Sequence, residues 1–212
     1  LHVGRAALLL LLLQTIEQSF SASSLFALLL HADCTFGSEI ESHKKRVSVL
    51  ELVAFRGLPE FKDIGNLPQR IQAQKREAIQ NPHVHPLVKN LSDEDWEGAN
   101  MLAAQVVATI LPLADRWERS LHDHIANVLA TMESIAPTTD EFSPADQLFF
   151  DVMTSVQEGS EWHPVLTLSK AQHSIIHALS LETLRPPFNP NSQLSIYGLA
   201  EARLIDADLL IL

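Results

Sequence analysis

Ten histidines occur among 212 residues, at positions 2, 31, 43, 83, 85, 122, 124, 163, 173 and 177. Imidazole binds metals and titrates near neutral pH, so each cluster is a candidate for chemistry. His173 and His177 stand four apart on a predicted helix, which puts both rings on one face. Such a pair suits zinc, iron or the edge of a haem. Ser174 follows the first histidine, where a zincin helix needs glutamate. On a helical wheel the pair faces away from Leu168, Ile175 and Leu179. The bland reading, a solvated helix face, therefore ranks first and the ligand reading second.

His85, His122-Asp123 and Asp151 fall in the order His…His-Asp…Asp. That order resembles the ligand set of the HD phosphohydrolases. The resemblance rests on four residues and implies a divalent cation that activates water for attack on phosphorus. The flanking run Ser120-Leu121-His122-Asp123-His124 lacks the apolar stretch and glycine that would accompany it. Read as packing, His122 and Asp123 lie on the polar side of a helix and His124 borders its apolar stripe. His83-Val84-His85 could chelate from an extended segment, but Pro82 and Pro86 make it a stiff connector first.

Nucleophilic chemistry has no foothold. The chain contains no Gly-x-Ser-x-Gly elbow, no phosphate loop and no dinucleotide fingerprint. The carboxylates Asp93-Glu94-Asp95 and Asp140-Glu141 open predicted helices, where the macrodipole explains negative charge. The formal charge of −11 speaks against nucleic acid, which needs clustered Lys and Arg. The densest basic run, Lys44-Lys45-Arg46, is flanked by Glu39, Glu41 and Glu51 and reads as a solvated face. Cys34 is the single cysteine, which excludes an internal disulfide and reads as a small buried hydrophobe.

The elements that would carry these residues are helical. Apolar residues make up 46% and there are only seven glycines, too few for an all-β chain rich in tight turns. The spacing predicts a mainly α, single-domain bundle of about seven helices. A buried apolar N-terminal segment would cover residues 1–32 and the helical body residues 38–212. A minor strand element is possible within 194–212. The leucine run Leu8–Leu13 follows Arg5, and Ser21-Ala22-Ser23 could be a cleavage site, so a signal or anchor competes with a core helix. Neither leucine-rich run reaches the roughly 18–20 residues that cross a bilayer. A capping box at Ser38 and Glu41 would start a helix that runs to Arg56. Val47, Val49 and Val53 in that stretch leave a strand open. The clearest stripe is Trp96, Ala99, Ala103, Val106, Ile110 and Leu113, resuming after Pro112 at Trp117, Leu121, Ile125, Val128, Met132 and Ile135. Ser143 and Pro144 open a further helix, and another spans about 169–184.

Many packing signals and no specific catalytic motif give one leading expectation. The chain reads as a non-enzymatic helical structural or interaction subunit, with other protein chains as partners and no cofactor. Its aliphatic C-terminal segment, Leu204, Ile205, Leu209, Leu210, Ile211 and Leu212, would be an interface. A beginning at Leu1 and an apolar end suggest a processed piece of a larger polypeptide. The alternative is a metal- or haem-dependent helical enzyme using His173 and His177, or His85, His122 and Asp123. An intracellular location is expected, or a secreted one if the leucine run is a retained signal.

Overall fold

The computed structural model describes residues 4–56, 64–81, 83–115, 117–138, 143–162 and 164–182. Among them are nine α-helices, one isolated bridge between Arg119 and Leu166, and no strand. The protein is mainly α-helical, as its periodicity indicates. The sequence suggested about seven helices. The N-terminal apolar segment supplies two of the nine, and a single-turn helix adds another.

α1 (Arg5–Glu17) and α2 (Ala22–Leu29) come from the two leucine-rich runs. A helix apolar on every side needs neighbours on every side. α1 has them in α2, α8 and α9, and its Leu8, Leu9, Leu12 and Leu13 are fully buried. Ser21, read above as part of a cleavage site, caps α2 by accepting a hydrogen bond from the Ser24 amide at 3.3 Å. The chain reverses between the two helices through Ser19 and Phe20, both in the left-handed region at φ 52° and 59°.

Arg5 is buried, which a signal-like basic flank would not require. Its guanidinium lies 5.5 Å from the centre of the Phe150 ring and donates to Thr138 Oγ1 at 3.2 Å. Glu133 and Asp146 stand 3.9 and 4.0 Å away. Burial works to raise the Glu133 carboxyl, but hydrogen bonds from Thr138 and the charge of Arg5 hold it below the usual range. This knot ties the start of α1 to the end of α7 (Leu121–Ile135) and the start of α8 (Pro144–Glu158).

α3 (Ile40–Leu50) runs on into a π turn, Glu51–Phe55, so the three valines are helical and the strand alternative fails. The predicted capping box does not form. Glu39 is the N-cap, and the Ser38 hydroxyl instead accepts from Arg46 at 2.9 Å. The sequence reads as a short polar helix from Pro68 to Gln80, and α4 (Leu67–Gln80) forms there; α5 (Pro86–Lys89) is a single turn too short to show a period.

α6 (Asp93–Ile110) and α8 have full capping boxes, at Ser92/Asp95 and Ser143/Asp146. Pro112 ends the regular helix, as expected. The continuation differs. A 3₁₀ turn, Leu111–Ala114, is followed by an extended link, so Trp117 is 73% exposed and not part of the core stripe. α9 (Leu168–Leu181) closes the described fold against α8, α1 and α7.

α3, α4 and α6 pack as one group, and α1, α2, α7, α8 and α9 as another. The joints between the groups are specific. The amides of Thr35 and Phe36 both donate to the Ile135 carbonyl at 2.9 Å, and Phe26 meets Phe55 edge-on at 6.3 Å. One contiguous apolar cluster runs from Ala6 to Leu179. Replacing fully buried Leu12 with alanine should cost about 2–5 kcal/mol in urea unfolding. Half-buried Leu10→Ala should cost clearly less. Equal losses would show that α1 is not anchored by the side described.

Candidate interaction surface

The histidines proposed as ligands do not converge. His173 and His177 are both exposed on α9, whose buried side is Leu168, Ala171, Ile175 and Leu179. His173 Nδ1 is bonded to the Ser169 carbonyl at 2.8 Å. His85 caps α5, with Nδ1 accepting from the Leu87 amide at 3.3 Å. His122 points outward and meets the Gln157 amide at 3.3 Å. Asp123 accepts from the Ser120 hydroxyl at the start of α7, and Asp151 accepts from Gln147 one turn away. Among the described residues no three His, Cys, Asp or Glu side chains come together as a metal-binding group. The Lys44-Lys45-Arg46 run stays at the surface and is paired there: Lys44 to Glu41, Lys45 to Asp95 at 2.7 Å, and Arg46 to the Ser38 hydroxyl. Hydrogen bonds from Lys45 and Ser92 hold the Asp95 carboxyl at about 2. Cys34 is buried, and burial with the nearby Asp33 charge pushes its thiol up to about 12, which makes it inert.

The unusual surface lies on α6. From Gly98 to Ala114 the chain carries no charged residue. Its inner side, Trp96, Ala99, Leu102, Ala103, Val106 and Ile110, is buried against α3 and α4. The outer side exposes Met101, Ala104, Ala108 and Leu111, spaced three, four and three apart. That spacing is the narrow seam by which one helix packs against another. Met101 is 44% and Leu111 36% exposed. A shallow cleft flanks each end of the stripe. Met101 borders one of about 290 Å³ between α3 and α6, where Gly98 lets Arg46 lie across the helix. Ala108 borders one of about 470 Å³ between α6 and α7, lined by Thr109, Pro112, Asn127, Ala130 and Ser134. The sequence reading found the inner stripe of α6 and missed the outer one. The missing signal was the absence of charge, not a period.

The stretch Asp93–Ala114, with mean hydropathy 1.2, is long and apolar enough to cross a membrane. A core helix passes the same test, but here only a third of the apolar window is buried. The expected interface at Leu204, Ile205, Leu209, Leu210, Ile211 and Leu212 lies outside the described residues, as does the strand suggested for 194–212. No family model, curated protein or solved structure matches this chain.

Two histidines serve packing instead of ligation. His124 is buried and donates from Nε2 to the Leu166 carbonyl at 2.7 Å. His43, which no sequence pattern singled out, is buried, stacks on Phe36 and donates from Nε2 to the Leu29 carbonyl at 2.9 Å. It thereby pins α3 to the end of α2. Burial holds the His43 pKa below 6.5, and the Arg46 charge adds to the effect, while the bond to Leu29 opposes it. The unfolded chain therefore takes up this proton at higher pH than the folded one. Stability should be complete above pH 6.5 and fall as pH drops through 6.5 toward the folded pKa. Urea midpoints at pH 8, 6.5 and 5 check this: the decline should be shallower in His43→Gln than in the wild type. An unchanged pH slope in the variant would show that His43 is not the sensing group.

Proposed function

We propose that this chain is a non-enzymatic helical subunit that works by binding another protein, and that the outer side of α6 is its docking surface. One observation carries the reading: α6 is uncharged from Gly98 to its end, yet only its inner side is covered by the described fold. Surface helices normally turn charge outward, and a helix apolar all round is normally covered all round. The seam Met101, Ala104, Ala108 and Leu111 has the spacing that receives a partner helix, and its two central alanines let a backbone approach closely. Burying what remains exposed of Met101 and Leu111 would contribute on the order of 1 kcal/mol each. The outward-turned, internally bonded histidines offer no comparable support for a hydrolytic or redox centre.

The double variant Ala104→Glu with Ala108→Glu tests the assignment. Both positions are exposed and glutamate is a good helix former, so the isolated variant should keep its helical circular dichroism and melt within a few degrees of the wild type. Native mass spectrometry should show the partner-bound or oligomeric species of the wild type lost in the variant. A wild type that is a bare monomer at micromolar concentration, or a variant that assembles as before, would overturn the reading.

A further inference from the structure

The outer side of α6 is its own complement. We propose that two copies of this chain pair through this helix, antiparallel and about a two-fold axis at the level of Val106; this rests on the reading of that side as a docking surface.

The stripe is palindromic. Met101 and Leu111 each lie five residues from Val106, and Ala104 and Ala108 each lie two. A two-fold axis sets residue i of one copy against residue j of the other, and j against i, so a self-pairing surface has to match itself reversed. Here Ala104 falls against Ala108 of the second copy, and Met101 against its Leu111, each twice. The alanines let the two backbones approach at the crossing, and the large side chains close the contact at both ends. A different protein would impose no such symmetry on the stripe.

The clefts fit the same pairing. The cleft that Met101 borders, between α3 and α6, lies where Leu111 of the second copy arrives. The cleft that Ala108 borders, between α6 and α7, receives the second copy's Met101, whose unbranched chain adapts to an irregular gap.

Charge agrees. Each copy carries a formal charge of −11, so two copies approach most easily where charge is absent or opposed. The stripe itself carries none. Exposed Glu97 borders the first cleft, and Arg119 is the one charged side chain among the described residues lining the second. Antiparallel pairing brings Glu97 of each copy to the end that holds Arg119 of the other. Arg119 already donates to Asp115 at 3.1 Å, and its guanidinium has donors left for a second carboxylate. A parallel pair would instead set Glu97 beside Glu97.

Cysteine cross-linking tests the arrangement. Ala104→Cys and Ala108→Cys are made separately in the full chain, where buried Cys34 stays inert. Both positions are exposed, so each variant should melt within a few degrees of the wild type. In an antiparallel pair the two new thiols of either variant alone stand about 6 Å apart along the axis, whereas position 104 faces position 108 directly. Under mild oxidation at micromolar concentration, an equal mixture should therefore form linked dimers at least five-fold faster than either variant alone. Native mass spectrometry of the wild type should show twice the chain mass. Glu97→Lys should raise the dimer dissociation constant at least three-fold. Glu158→Lys, the same charge change at the exposed end of α8, should not. Faster linking in either variant alone, no linking, or equal effects of the two lysines would overturn the antiparallel pair. A wild type bound through this side to a different protein would leave the docking surface standing while the second copy falls. A bare monomer, or a dimer that survives Ala104→Glu with Ala108→Glu, would remove both.

Discussion

A helix with apolar side chains all round has to be covered all round, and this constraint organises the molecule. It acts twice. α1 satisfies it within the described fold: α2, α8 and α9 surround it, and Leu8, Leu9, Leu12 and Leu13 lose all contact with water. At about 1.5–3 kcal/mol each, those four side chains contribute an amount comparable to one domain's usual net stability. α6, whose apolar surface is broken by Asn100, Gln105 and Thr109, is covered on one side only. Its inner residues hold α3 and α4 together, and its outer residues meet solvent. The same physics that builds the core thus leaves one unfilled requirement at the surface.

The polar groups serve this arrangement. Arg5 is buried because its guanidinium stacks on Phe150 and reaches Thr138, Glu133 and Asp146, which fixes where α1 enters the bundle. His43 and His124 each hand a ring N–H to a backbone carbonyl, of Leu29 at the end of α2 and of Leu166 in the bridge to Arg119. Buried carbonyls left unpaired are costly, so the Leu29 bond closes a helix end, while His124 adds a second donor to a carbonyl that the Arg119 amide already reaches. These two histidines act as fasteners between segments.

Much of this was legible in the residues. Strong local signals held: the stripe of α6, the Ser143-Pro144 start of α8, and α4 between Pro68 and Gln80. Misreadings came where a tertiary partner outbid a local one. The Ser38 hydroxyl accepts from Arg46 instead of capping the helix, and Trp117 leaves the stripe because the helix ends in the 3₁₀ turn Leu111–Ala114 and Arg119 is bridged to Leu166. His43 carried no sequence signal, since nothing in a helical pattern announces a carbonyl fourteen residues upstream. The outer side of α6, proposed as a docking surface, shows in the sequence only as a lack of charge from Gly98 to Ala114, which a helical period reads as a well-packed helix. The aliphatic segment 204–212 was marked by composition as something to be covered, and composition names no site for it.

The central claim is that the outer side of α6 is covered in the working protein, and methionine chemistry reports on it directly. The chain has three methionines. Met132 and Met153 are buried at 1% and 0% exposure, while Met101 stands on the stripe. Hydroxyl-radical footprinting of the full-length protein in its native assembly, read by mass spectrometry, compares their oxidation rates. The account predicts that Met101 is protected to nearly the level of Met132 and Met153, and that a glutamate pair at Ala104 and Ala108 strips that protection away. Oxidation of Met101 at the rate of an exposed methionine, in the wild type and the variant alike, would contradict it.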